Sequence, residues 1–166
     1  MRTLALTPLV LFMGVLLAAA PALAQSLTLT GLNGQTASLS AADIAALPQV
    51  QVSFDIHGHT SVYQGPLLMD VLAKVGAPSG EALRGADLSD AVLVGSADGY
   101  RVAFGLGEVD PSLRPERVIL ADLADGKPLD AKDGPFRIVV EGDKAPKRSA
   151  RLVTSLTLIR LAAPKP

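Results

Sequence analysis

The 166-residue sequence has no cysteine and no tryptophan, and only two tyrosines and four phenylalanines. Without cysteine there is no disulfide, no thiolate metal ligand, no thiol nucleophile and no cysteine-linked lipid. With so few aromatics, the core has to be assembled from Leu, Val, Ile and Ala. Neither sign of charge dominates: 15 Lys and Arg face 16 Asp and Glu, so nothing supports a nucleic-acid binder. Charged residues at 19% and hydrophobic residues at 49% exclude a disordered chain. The phosphate-binding patterns G-x-x-x-x-G-K-S/T and G-x-G-x-x-G are missing, as is the hydrolase pattern G-x-S-x-G. Asp110, Glu116, Asp122, Asp125, Asp130 and Asp133 are scattered carboxylates, and no spacing among them makes an acid/base pair.

The first residues read as an address. Arg2 precedes an apolar stretch from Leu4 to Ala20, followed by Pro21 and the small-residue pattern Ala22-Leu23-Ala24. A positive start, an apolar middle and an A-x-A end describe a signal peptide cleaved before Gln25. The competing reading is a retained membrane anchor, since the run is nearly long enough to span a bilayer. Pro21 and the lack of a charged flank favour cleavage. Removing residues 1–24 leaves residues 25–166 as one domain of ordinary size, able to bury roughly two-thirds of its unfolded surface. No other segment reads as a membrane span, so the expected product is periplasmic or secreted.

Along the remaining chain, short alternating runs are separated by turn dipeptides. Ser26–Thr30 and Thr36–Leu39 flank Asn33-Gly34, a hairpin signal. Ser40, three residues before Asp43, forms a capping-box pattern opening a short helix that Pro48 stops. Val50, Val52, Phe54 and Ile56 fall at every second position, the clearest strand in the chain, and Ser61–Tyr63 returns from it. Leu68, Val71, Leu72 and Val75 form one helical stripe, with Pro66 read as its first turn and Gly76 as its end. Strands are further expected at Ala91–Gly95, Tyr100–Phe104, Arg117–Leu123, Phe136–Glu141 and Leu152–Arg160. A single helical turn is expected at Leu106–Val109. About eight or nine short strands and two main helices make an α+β, mainly β domain.

Three clusters carry candidate chemistry. His57-Gly58-His59 holds the only two histidines, either a weak metal pair assisted by Asp55 or Asp98 or a polar hairpin tip. In Ser96–Arg101, Arg101 could grip an anion bidentately and Tyr100 could donate a hydrogen bond, or the segment is an ordinary Asp-Gly turn. Lys144, Lys147, Arg148 and Arg151 crowd a polar loop beside Gly142. They either cradle an anion such as a phosphate or keep the surface solvated.

The order of these pieces resembles a known family. Tyr63-Gln64-Gly65-Pro66-Leu67-Leu68, then Val71-Leu72 and Val75-Gly76, is similar to the aromatic-x-Gly-x-x-Leu helix of the sulfite-oxidase-type molybdopterin-binding domain. Ala97-Asp98-Gly99-Tyr100 resembles that family's D-x-Y strand, and Leu120-Ala121 with Asp125-Gly126-Lys127-Pro128-Leu129 its L-A-x-x-x-N/D-G-x-P-L segment. Gly134 to Val140 resembles G-x-P-L-R-x-V-V with one residue missing, and Glu141-Gly142 stands where Pro-Gly is usual. Arg148 to Arg160 is similar to the family's closing strand, without its tryptophan. The resemblance spans roughly Leu27 to Leu161. It implies the family's fold and a pterin site built from basic side chains: Arg137 on a motif position, and Arg101, Lys144, Arg148 and Arg151 by neighbourhood, beside Tyr100. Arg137 reads equally as a salt-bridged strand residue.

The family's enzymes hold molybdenum through a cysteine upstream of the Gly-x-x-Leu helix. Here that region is Val50–Thr60, and there is no cysteine anywhere. The expectation is therefore an exported relative of this fold that binds a small anionic, pterin-like ligand or an exported protein partner and runs no redox chemistry itself. The alternative is a molybdenum-cofactor-dependent oxidoreductase in which His57 or His59 replaces the thiolate, or the metal is held by pterin sulfurs alone.

Overall fold

The computed structural model describes residues 26–56 and 58–161. The expected leader lies outside the described residues. No helix among those described is long and apolar enough to cross a membrane.

The architecture is mainly β. Eleven strands are described: β1 (Leu27–Thr30), β2 (Thr36–Leu39), β3 (Gln49–Ile56), β4 (His59–Pro66), β5 (Ala91–Ser96), β6 (Arg101–Gly105), β7 (Val118–Ala121), β8 (Leu123–Ala124), β9 (Lys127–Pro128), β10 (Arg137–Val140) and β11 (Val153–Ile159). Three short α-helices accompany them, α1 (Ala41–Ala45), α2 (Leu68–Leu72) and α3 (Leu106–Val109). The strand count exceeds the expected eight or nine because β8 and β9 are two residues each, too short to show a periodicity.

A five-stranded sheet runs in the order β2-β1-β11-β5-β6, and β3-β4-β8-β9 forms a second sheet. Between them lies the antiparallel pair β7 and β10. Every residue of these two strands is buried. Val118, Leu120, Ile138 and Val140 pack into the larger core, with Leu27, Leu29, Val92, Val94, Phe104 and Leu156 from the five-stranded sheet and Leu68 and Leu72 from α2. Their neighbours Ile119, Ala121 and Val139 point the other way, into a second core with Val52, Phe54 and Tyr63. A strand covered on both faces reads as a continuous apolar run, which is why Val118-Ile119-Leu120-Ala121 does not alternate.

Local signals are mostly honoured. Ser40 and Asp43 form the reciprocal cap of α1. Asp125 and Gly126 both carry positive φ, 51° and 74°, as a two-residue hairpin between β8 and β9 demands. One expectation is corrected. Pro66 does not start the helix; it is the last residue of β4, opposite Gln49. Leu67 keeps an extended backbone and bridges Ile119 of β7, so α2 begins only at Leu68. It then tightens into a 3₁₀ turn at Ala73–Val75, and Leu68, Val71, Leu72 and Val75 are all buried as the stripe requires.

Candidate functional site

The segments that matter for function meet where β10 begins and β11 has not yet started. The amide of Ile138 donates to the Ala150 carbonyl at 2.8 Å, that of Leu152 to Asp133 at 3.0 Å, and that of Val153 to Phe136 at 2.9 Å. Residues 149–153 therefore run alongside residues 133–138. On the other side, the Ala97 amide donates to the Leu152 carbonyl at 2.9 Å, bringing in the turn between β5 and β6. Leu152 has a φ of 52°, and a bulge follows between Val153 and Ser155. Together they bend the chain as it passes from this region into β11.

A cleft of about 570 Å³ opens at this junction, within the ordinary range for small-ligand sites. Arg137 and Ser149 are its buried polar lining, 4% and 5% exposed. Tyr63 and Ile56 form the wall from the β3–β4 hairpin, Asp98 and Tyr100 come from the β5–β6 turn, and Lys147 and Arg151 flank Ser149. With Asp133, the charged lining comprises three cations and two carboxylates.

Arg137 is the best-fixed of these groups. Its guanidinium lies over the Tyr63 ring, 5.3 Å from the centroid, a cation–π geometry. Its Nη1 pairs with Asp133 Oδ2, while Arg151 Nη1 approaches Asp133 Oδ1 at 3.7 Å. Asp133 itself is held in a turn in which Asp130 Oδ1 accepts its amide at 3.0 Å. Burial pushes the Tyr63 phenol above its usual value, against the opposing pull of Arg137. Two polar atoms in this lining stay buried without a hydrogen-bond partner among the described residues, Arg137 Nε and Ser149 Oγ. An unmet buried donor ordinarily costs about 1–3 kcal/mol, so two in one cleft call for an explanation.

The structure sorts the sequence candidates. Tyr100, Arg137 and Arg151 come together in the lining. Tyr100 bridges the cleft mouth, its hydroxyl donating to the Lys147 carbonyl. Arg101, Lys144 and Arg148 are not brought there. Arg101 is exposed on β6, opposite Gly95, and Lys144 is exposed in the polar loop. Arg148 is committed elsewhere: Nη2 reaches Asp143 Oδ1 at 2.6 Å, Nη1 pairs with Glu108, and the group lies over Phe104, 5.4 Å from its centroid. The hydrogen bonds that it donates to Asp143, then to Glu108, hold its pKa above the ordinary arginine value. His57 lies outside the described residues, and His59 is exposed at the start of β4. Asp55 and Asp98, the possible partners of those histidines, accept the amides of Gly58 at 2.9 Å and Tyr100 at 3.0 Å. Among the described residues, no group of three or more His, Asp or Glu is placed to hold a metal.

Sequence reasoning missed Ser149, Tyr63 and Asp133 as site residues. Tyr63 was visible as the aromatic of its motif, and Lys147 as part of the basic loop. Nothing in the sequence marks Ser149, whose significance is its burial.

No family model and no curated protein matches the sequence. The fold, however, is one found inside a larger dehydrogenase chain. That chain belongs to the crystal structure of the sulfane dehydrogenase SoxCD from Paracoccus pantotrophus, which is similar with a TM-score of 0.62 and 18% identity. The match covers 82% of this chain and 38% of that one. At this identity the likeness shows a common, mainly β α+β fold.

Proposed function

We propose that this protein is an exported, non-catalytic binding module that takes a small anionic, pterin-like ligand in the cleft around Arg137. The observation that carries the reading is the pair of unpartnered buried donors, Arg137 Nε and Ser149 Oγ, in a cleft whose cations outnumber its carboxylates. The resemblance to the sulfite-oxidase-type domain and the shared fold with SoxCD support a molybdopterin-like compound as the class of ligand.

The donor set fits one part of such a cofactor and not the other. Arg137, Ser149, Lys147 and Arg151 are suited to an anionic group, and Tyr63 and Tyr100 supply aromatic surface. For molybdenum the chain offers no thiolate and no cluster of three or more ligands among the described residues. The chain's own work is then to orient the anion, neutralise it and shield it from water; no step of electron transfer is assigned to any side chain.

The test is the protein purified from its natural export route. After acid release and oxidation, pterin-type fluorescence should accompany the protein, while metal analysis finds no stoichiometric molybdenum. One molybdenum per chain would overturn the non-catalytic reading. A protein partner co-purifying in place of any small molecule would overturn the pterin reading.

A further inference from the structure

Among the described residues the two larger sheets end in β2 and β6, and in β3 and β9. Three of these edges are guarded. β2 is four residues long, and β9 is two and contains Pro128. β6 has five residues and carries Arg101. Short length, proline and basic side chains are the usual defences of a sheet edge against another chain. β3 has none of them. It runs for eight residues, Gln49–Ile56, without proline, lysine or arginine, and it pairs with β4 along that length without a register shift.

The β4 ladder fixes which main-chain groups of β3 point outward. The amide of Asp122 donates to the Gln64 carbonyl at 3.0 Å and that of Asp125 to the Val62 carbonyl at 2.8 Å, so Val62 and Gln64 turn their main chain toward β8. Successive residues of a strand direct these groups to opposite edges. Ser61, Tyr63 and Gly65 therefore face β3, where they lie opposite Phe54, Val52 and Val50. By the same alternation, Gln51, Ser53 and Asp55 aim N–H and C=O away from β4. All three residues are exposed, and these groups have no main-chain partner among the described residues. On the inner face Val52 and Phe54 are buried, while Val50 and Ile56 are only partly covered by the same core.

We propose that β3 is the interface of a homodimer, pairing antiparallel with β3 of a second copy about a two-fold axis through Ser53. Ser53 then lies opposite the partner's Ser53 and Gln51 opposite the partner's Asp55, each pair exchanging both main-chain bonds. Val52 meets Phe54 and Val50 meets Ile56 on the inner face, so the half-covered Val50 and Ile56 lose their solvent. Charge complementarity selects this register and this occupant. A register centred on Val52 sets Asp55 against Gln49, whose amide is already spent on the Ile44 and Leu47 carbonyls at 3.0 and 2.9 Å. One centred on Asp55 sets like charges together. Centred on Ser53, the edge's one charge meets Gln51. That amide gives one N–H to Gln64 Oε1 at 3.2 Å and keeps a second for the carboxylate. Asp55 accepts from the Gly58 amide and the Thr60 hydroxyl and retains acceptor capacity beside them. The edge is thus answered by its own sequence. The inference stands apart from whatever the cleft binds.

The full chain, as its host processes it, should sediment as a dimer. Amide exchange at Gln51, Ser53 and Asp55 should slow roughly tenfold or more from dilute to concentrated protein. Ser53→Pro removes an outward N–H and leaves the β3–β4 ladder intact, the one strand setting in which proline is tolerated. It should weaken the dimer roughly thirtyfold, one main-chain bond lost from each copy, with an unchanged far-ultraviolet circular dichroism spectrum. Because the chain has no cysteine, a single introduced thiol reports the register. Ser53→Cys should cross-link on mild oxidation, since facing Cα atoms lie about 5.5 Å apart, within disulfide reach. Gln51→Cys, roughly 14 Å from its own copy, should not, and neither should Lys144→Cys in the polar loop.

A chain that stays monomeric at every concentration refutes the interface. So does a dimer that survives in Ser53→Pro while the three edge amides exchange freely, since its contact then lies elsewhere. Cross-linking through Gln51→Cys and not Ser53→Cys overturns the register. Edge amides protected only in a complex with a different protein overturn the choice of a second copy. If Ser53→Pro does not fold, exchange in the unaltered chain and the cysteine pair decide the matter.

Discussion

Gly65 sits where β4 crosses the backbone of β7, and replacing it with alanine puts the sandwich under direct test. A Cβ at this position would lie 2.1 Å from the Leu120 carbonyl oxygen and 2.7 Å from the Ala121 Cα. An ordinary carbon–oxygen contact needs about 3.3 Å, so one strand must retreat by roughly 1 Å. The obstacle is main chain, with no rotamer to swing aside. Retreat would strain the Leu67–Ile119 bridge, the Asp122 amide bond to Gln64 at 3.0 Å and the packing of both cores that share β7. Overpacking in a core costs about 1–3 kcal/mol, and a clash with fixed backbone belongs at the upper end. At roughly 3 °C per kcal/mol for a domain of this size, Gly65→Ala should lower the thermal midpoint by about 9 °C. Thermal unfolding followed by far-ultraviolet circular dichroism measures it, since there is no tryptophan to report. Gly105→Ala is the control: its Cβ would meet nothing within 4 Å, and its cost should stay within about 0.5 kcal/mol. Equal effects of the two substitutions would refute the close crossing of β4 over β7.

Three further outcomes follow from titratable groups and ion pairs. Burial raises the pKa of Asp122 above the usual carboxylate range, and its Oδ1 has no partner among the described residues. Stability contributed by this group is present at low pH and falls as pH rises through the raised value; Asp122→Asn should therefore raise the midpoint at pH 7 and leave it nearly unchanged at pH 3. Glu141 is shifted the opposite way, below 4.5, by its hydrogen bonds from Arg117. Its contribution exists above the unfolded pKa and disappears as pH falls through the folded one, so Glu141→Gln should cost up to about 1 kcal/mol at neutral pH, less in high salt, and nothing in strong acid. Arg148→Met should cost stability by stranding Asp143 and leaving Glu108 with Arg114 alone, measured by urea midpoint, while the Arg137 Nε–H resonance still answers phosphate; loss of that response would place Arg148 in the binding machinery after all.

Much of the fold was legible because its signals are local. The alternation of Val50, Val52, Phe54 and Ile56 gave β3, the Ser40–Asp43 pattern gave the cap of α1, and Asp125-Gly126 gave its hairpin, each decided by neighbouring dihedrals and hydrogen bonds. Pro66 misled because a proline is compatible with both the first turn of a helix and the end of a strand. Pairing of β4 with β3, a contact between segments, settled the matter. The candidate site was only half legible. Tyr100, Arg137 and Arg151 share a lining, but Arg148, two residues from Ala150 in the same basic loop, turns away to Glu108, 40 residues distant along the chain.

The sequence alone determined the mainly β character, the turns and caps, and the lack of a thiolate, because periodicity, φ preference and composition act over a few residues or need no geometry at all. The tertiary structure decided which cations converge, which are spent in ion pairs, and that Arg137 Nε and Ser149 Oγ are each buried without a partner among the described residues. Those are matters of distance and solvent exclusion, set by the ladder between residues 133–138 and 149–153, and neither quantity is written in the order of the residues.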